Sequence, residues 1–154
     1  VPPIGRDNVA LAPRLGALER EACAIEGPLI LIAHSGGVAL TAHWANQSQR
    51  TVQCALLATP PDLETPLPSG SPAIEALRAG GWLPVPRSRL PFPCIVAASR
   101  NDPLARFARV AEMAREWGAR QDDIGEVGHL NPASGYGPWP LALEYVAELR
   151  AGLN

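Results

Sequence analysis

A chain of 154 residues is long enough for one domain with a buried core, and at 47% hydrophobic and 18% charged it lacks the composition of a disordered segment. Its formal net charge is −2, and its 13 basic residues are all arginines scattered along the chain, so a polyanion-binding surface is not favoured and nucleic acid is not an expected partner. Cys23, Cys54 and Cys94 are odd in number, far apart and without the close spacings of zinc sites, and they read as small buried hydrophobes of a reduced, cytoplasmic protein. The apolar runs, such as residues 28–33, are far too short to span a bilayer, so no membrane association is expected.

In chain order, Leu11, Leu15, Leu18, Ala22 and Ile25 recur at helical spacing and predict a first helix whose start is blurred by Pro13. Residues 29–33 (LILIA) form a continuous apolar run between polar neighbours, the pattern of a strand buried on both faces of a parallel sheet. A helix over 38–47 and a second buried strand over 52–58 come next. Residues 59–93 are rich in Pro and Gly and read as a surface excursion with a short helix at 72–79, placed to shape a cleft. A third strand is expected at 94–99 and a helix at 103–117, with Phe107, Val110, Ala111, Ala114 and Trp117 inward and Gly118 at its end. A short strand near 120–124, a glycine-rich loop and a last helix from 139 to 149 complete the chain. The alternation predicts a single α/β domain: a mostly parallel sheet with helices on both faces.

The chemistry concentrates where the first strand breaks. Ala33-His34-Ser35-Gly36-Gly37 sits between an apolar strand and a helix, the setting of a nucleophile elbow, in which a strained serine is lifted above the sheet and small residues two positions away on each side let strand and helix approach. A serine needs a base to take its proton and an acid to orient that base. Asp102 comes after the third strand and His129 after the last one, giving the chain order Ser, Asp, His of α/β-hydrolases. Gly36 N–H, at the helix start, is the expected first oxyanion donor.

Blander roles stand beside these. Ser35 could be a helix cap, Asp102 before Pro103 could open a helix, and His129 could be structural, although its Gly-flanked loop suits a base better. His34 is expected to support the elbow and His43 to pack beside Trp44. Trp117 belongs to the core, whereas Trp82, Tyr136 and Trp139 are candidates for a pocket wall. Asp122, Asp123 and Glu126 read as a solvated acidic run, with Asp123 or Glu126 as fallback acids.

Three segments make the reading more specific. Ser99-Arg100-Asn101-Asp102-Pro103, Glu116-Trp117-Gly118 and residues 125–139 (GEVGHLNPASGYGPW) resemble the YdeN-like small serine hydrolases, the family of the animal retinoblastoma-binding serine hydrolase. The resemblance covers most of residues 28–150 and implies an α/β-hydrolase fold with Ser35, Asp102 and His129 as the catalytic triad. Gly36 departs from the larger apolar residue usual there, which keeps the N–H donor but loosens the turn.

The activity so implied is hydrolysis of a small carboxylic ester, or an amide, through an acyl-enzyme on Ser35, with neither metal nor organic cofactor. A hydrolase-fold binding module and an acyltransferase using the same triad remain alternatives. In the family, a further strand precedes and pairs with the nucleophile strand, and its loop supplies the second oxyanion donor. Here 27 residues precede Pro28 and most read as one helix, so the expectation is that the natural protein carries an additional segment before Val1. Residues 1–154 would then be unstable, self-associating or nearly inactive alone.

Overall fold

The computed structural model describes residues 9–152. Four strands, β1 (Leu29–His34), β2 (Val52–Ala58), β3 (Cys94–Ala98) and β4 (Arg120–Asp123), form one parallel sheet in the order β1-β2-β3-β4. Helices α1 (Leu11–Ala24), α2 (Gly36–Ala45), α3 (Ile74–Ala79), α4 (Phe107–Trp117) and α5 (Leu141–Ala151) connect or flank them. The register brings His34 beside Ala58, Ala58 beside Ala97, and Ala98 beside Asp123. All four strands therefore end at one edge, and the turns and loops that leave them are gathered there.

Each strand face buries its own cluster. Leu29, Ala33, Ala55, Leu57, Val96 and Ala98 pack with α1, α2 and α4, while Cys54, Leu56, Ala58, Ile95 and Ala97 pack with Tyr145 and Leu149 of α5. Period-2 alternation explains the division, and the expected α/β architecture with helices on both faces is what the chain adopts. Pro13 lies in the first turn of α1, where a missing N–H does no harm. Gly118 ends α4 at φ 68°, the left-handed conformation that glycine takes without strain.

Side chains tie the elements together. Trp44 Nε1 and Ser48 Oγ both donate to Glu19, fixing α1 to the end of α2. The Arg50 guanidinium donates to the carbonyls of Ala22, Ile25 and Gly27 and so satisfies the end of α1.

Four expectations need correction. β1 is not buried on both faces: Ile32 is 61% exposed, because β1 is the edge of the described sheet and α5 lies mainly over β2 and β3 on that side. Ile25 is also exposed, since it has left α1 in an extended conformation. The excursion 59–93 is not mere surface, for Leu63, Leu77, Trp82, Val85, Leu90 and Phe92 fold back into the main core. Cys23 is exposed, whereas Cys54 and Cys94 are buried.

Leu57 is 1% exposed and central to the larger cluster. Leu57→Ala should lower the unfolding free energy by about 2–5 kcal/mol in urea denaturation. A change below about 1 kcal/mol would mean that the site collapses around the smaller side chain or that the core is loosely packed there.

Candidate active site

Ser35 lies between the last residue of β1 and the first of α2, at φ 56° and ψ −129°. A non-glycine residue rarely takes such a conformation, and it persists here because the turn is held on both sides. The Ser35 N–H donates to Ala58 O at 3.0 Å, and its carbonyl accepts from Val38 N–H at 2.8 Å. A methyl on Gly37 would meet Ala33 Cβ at 3.8 Å, an ordinary contact, so small residues at these two positions leave strand and helix close but unstrained. A methyl on Gly36 would meet nothing within 4 Å, so its glycine answers to no steric demand of this fold. As the first residue of α2, Gly36 has an N–H without an acceptor inside the helix, available at the helix's positive end.

The three residues singled out by chain order are brought together. His129 Nε2 lies 2.7 Å from Ser35 Oγ, and His129 Nδ1 lies 3.0 and 2.9 Å from the two Asp102 carboxylate oxygens. The Asp102 side chain is 2% exposed and that of His129 is 8% exposed. An ionised carboxylate only accepts, so these partners assign the proton to Nδ1 and leave Nε2 to accept from the serine hydroxyl.

Asp102 also accepts from Leu104 N–H at 2.9 Å. It thus caps a turn while facing His129, and α4 begins only at Phe107, later than expected, without a side-chain cap. Leu104 O in turn accepts from Asp62 N–H, which joins the acid's loop to the excursion.

Several supporting residues, among them Asn101, Asn131 and Ser134, lie in the segments that carry the family resemblance, although no spacing rule assigns them a role. Asn101 Oδ1 accepts from Gly128 N–H at 2.6 Å and from Ser99 Oγ at 3.0 Å, linking the loops that carry Asp102 and His129. Ser134 Oγ accepts from His129 N–H at 3.0 Å, and Asn131 holds Ser134 by its backbone and its hydroxyl. Thr59, at φ 44° with a fully buried hydroxyl that lacks a protein partner, comes directly after β2 at the same sheet edge.

Other candidates fall outside the cluster. Trp82 is a core residue whose indole donates to Val9 O, and its carbonyl accepts from His43, whose pKa burial depresses. Trp139 packs on Tyr145, and burial raises the Tyr145 phenol to about 12. Asp123 pairs with exposed Arg100, so the fallback acid serves a surface ion pair. Burial pushes the Cys94 thiol up to about 11, which makes it a poor nucleophile. A cavity of about 660 Å³ between Arg89, Phe92, Cys94 and Arg120 opens at the start of β3 and β4, the end of the sheet away from Ser35.

A parallel sheet flanked by helices on both faces, with a strained serine turn at the end of a strand, defines the α/β-hydrolase class. The sequence profile described as serine hydrolase matches residues 8–148. Among solved structures, a YdeN-like hydrolase from Pectobacterium atrosepticum is 30% identical over 93% of this chain and 70% of its own, with a TM-score of 0.77. The ydeN gene product of Bacillus subtilis shares 15% identity over 92% of this chain and 75% of its own, at a TM-score of 0.65. An esterase domain from Rhodothermus marinus shares 16% over 95% and 71%, at 0.64, and both of these show the fold alone. No curated protein matches the chain. The chain belongs to the serine hydrolase family, among its small YdeN-like members.

Gly128 takes φ 58°, and a methyl there would lie 2.5 Å from Ser134 Oγ, the group that accepts from His129 N–H. Gly128→Ala should cost about 1–2 kcal/mol from the backbone conformation alone, read by urea denaturation. Unchanged stability would show that the loop before His129 can adopt another path.

Proposed function

We propose that the chain hydrolyses small carboxylic esters through an acyl-enzyme on Ser35, with His129 as general base and Asp102 as the acid that orients it. The observation that carries this reading is the unbroken hydrogen-bond chain from Ser35 Oγ through both ring nitrogens of His129 to the Asp102 carboxylate. Membership of the serine hydrolase family supports it independently.

In this reading the Ser35 hydroxyl gives its proton to His129 Nε2 as Oγ attacks the ester carbonyl. The imidazolium is stabilised by Asp102, which accepts from Nδ1 and stays ionised throughout. Negative charge develops on the former carbonyl oxygen, where Gly36 N–H at the head of α2 can donate to it. His129 then returns the proton to the leaving alcohol, and the acyl group remains on Ser35. Water attacks that acyl group with His129 again as base, releasing the acid and restoring the hydroxyl. An ester suits this apparatus better than an amide, because an alcohol departs more readily than an amine when a single group supplies the proton.

A fluorophosphonate should label Ser35, and Ser35→Ala should abolish both labelling and turnover of a p-nitrophenyl ester, as read by peptide mass spectrometry and a stopped assay. Turnover that survives Ser35→Ala would refute the acyl-enzyme. Asp102→Asn should reduce kcat by about four orders of magnitude, the loss that a disturbed imidazole tautomer brings in serine hydrolysis. A reduction below about tenfold would assign Asp102 to turn capping instead of base orientation, since proton-transfer catalysis is typically worth far more than that.

A further inference from the structure

We propose that His34, the residue before the nucleophile, is a positioning residue for the base: it holds the His129 backbone to the strand that carries Ser35. The inference rests on the esterase reading for its kinetic consequence and on geometry alone for the contact itself. His34 Nε2 lies 2.8 Å from His129 O, and the two rings stand 5.0 Å apart, tilted by 47°. A carbonyl only accepts, so His34 donates from Nε2, which both the cationic ring and one neutral tautomer can do.

The backbone around His129 has three anchors with different origins. Ser134, from the same loop, takes the His129 N–H, and Asn101, from the acid's loop, takes the Gly128 N–H. His34 alone comes from β1. Strand alternation makes this possible: Ile30 faces the α5 side of the sheet, so His34, four residues on, emerges on that side, where the loop bearing His129 and Leu130 lies. Leu130 turns at φ 50° immediately after His129, and its strained conformation accompanies a carbonyl presented to His34.

The consequence is a closed ring of contacts. It runs from Ser35 through the peptide to His34, across to the His129 carbonyl, along the His129 side chain and back to Ser35 Oγ. Without His34 the backbone at His129 keeps its bonds to its own loop and to the loop of Asp102, but its tie to β1 is reduced to the hydroxyl itself, which must let go when it reacts. His34 is exposed, so its hydrogen bond adds little to folding stability, and its loss should appear in the rate and not in the melting temperature.

The test compares His34→Phe, which keeps a ring but no donor, with His34→Gln, whose amide can still donate, in the full-length natural protein. Expected for His34→Phe is a fall in kcat of about 10- to 100-fold on a p-nitrophenyl ester, the penalty of a misplaced catalytic group, with KM and thermal midpoint unchanged. His34→Gln should regain most of the rate. Independently of turnover, the low-field proton resonance of His129 Nδ1 should broaden or vanish in His34→Phe and persist in His34→Gln. If the unaltered protein neither labels at Ser35 nor cleaves esters, the esterase reading fails, and the resonance still decides the positioning role. An unchanged resonance in His34→Phe, or a rate loss that tracks the melting temperature and is not restored by Gln, would overturn the proposal.

Discussion

The sheet edge is organised around one imidazole whose every polar atom is occupied. His129 faces Ser35 with one ring nitrogen and Asp102 with the other, gives its N–H to Ser134 and takes a hydrogen bond on its carbonyl from His34. A side chain only 8% exposed cannot rely on water to satisfy these groups, so each partner must be supplied by the fold. The parallel register makes this possible by ending β1, β3 and β4 at the same level, which places the turn after β1, the loop after β3 and the loop after β4 within side-chain reach of one another. Residues 94 positions apart meet because topology, and not sequence proximity, determines their distance.

The same logic explains what can be read from sequence. β2 is legible to the residue, since it is buried on both faces and has polar punctuation at its ends. The meeting of Ser35, Asp102 and His129 is legible because residues just beyond the carboxyl ends of parallel strands gather at one edge of such a sheet. The exposure of Ile32 is not legible: an apolar run states that a strand can be buried, while the elements around it decide whether it is. The packing of the excursion is hidden for a related reason. Its Pro and Gly residues break periodicity, so Trp82, Val85 and Phe92 reach the core at irregular intervals that no helical or strand pattern announces. Asn101 and Ser134 contribute through bonds to backbone N–H groups, which leave no spacing rule in the sequence.

The excursion also reaches the candidate site through charge. Asp62, nearly buried, lies 3.4 Å from Arg109 of α4, and Arg109 also contacts Glu64 and Glu112. Arg87 joins Glu64 to Glu116. An arginine shared among several carboxylates has its charge compensated by more than one partner, and removing it would leave the nearly buried Asp62 carboxylate with the Glu64 N–H but without this cation beside it. Because Asp62 N–H bonds to Leu104 O and Leu104 N–H bonds to Asp102, this network holds the acid's loop from outside the sheet. Sequence places Asp102 on a strand end, and the excursion determines where that loop can rest.

Strain is concentrated at the same edge. The non-glycine residues with positive φ among those described are Ser35, Thr59 and Leu130: the first comes after β1, the second after β2, and the third after His129. Each such conformation costs about 1–3 kcal/mol, a substantial fraction of the stability of a domain this size. Two of the three are held by the sheet itself, since Ser35 N–H bonds to Ala58 O and Thr59 N–H to Ala97 O, continuing the hydrogen-bond ladder one residue past the end of each strand. The ladder therefore fixes the amide while the φ angle turns the rest of the residue away from the strand direction. For Ser35 this means that a rigid, fully paired neighbour strand, and not the flexibility of Gly36, holds the hydroxyl against His129. The open space beside Gly36 fits that division of labour, with β2 restraining the turn and α2 supplying only its first N–H.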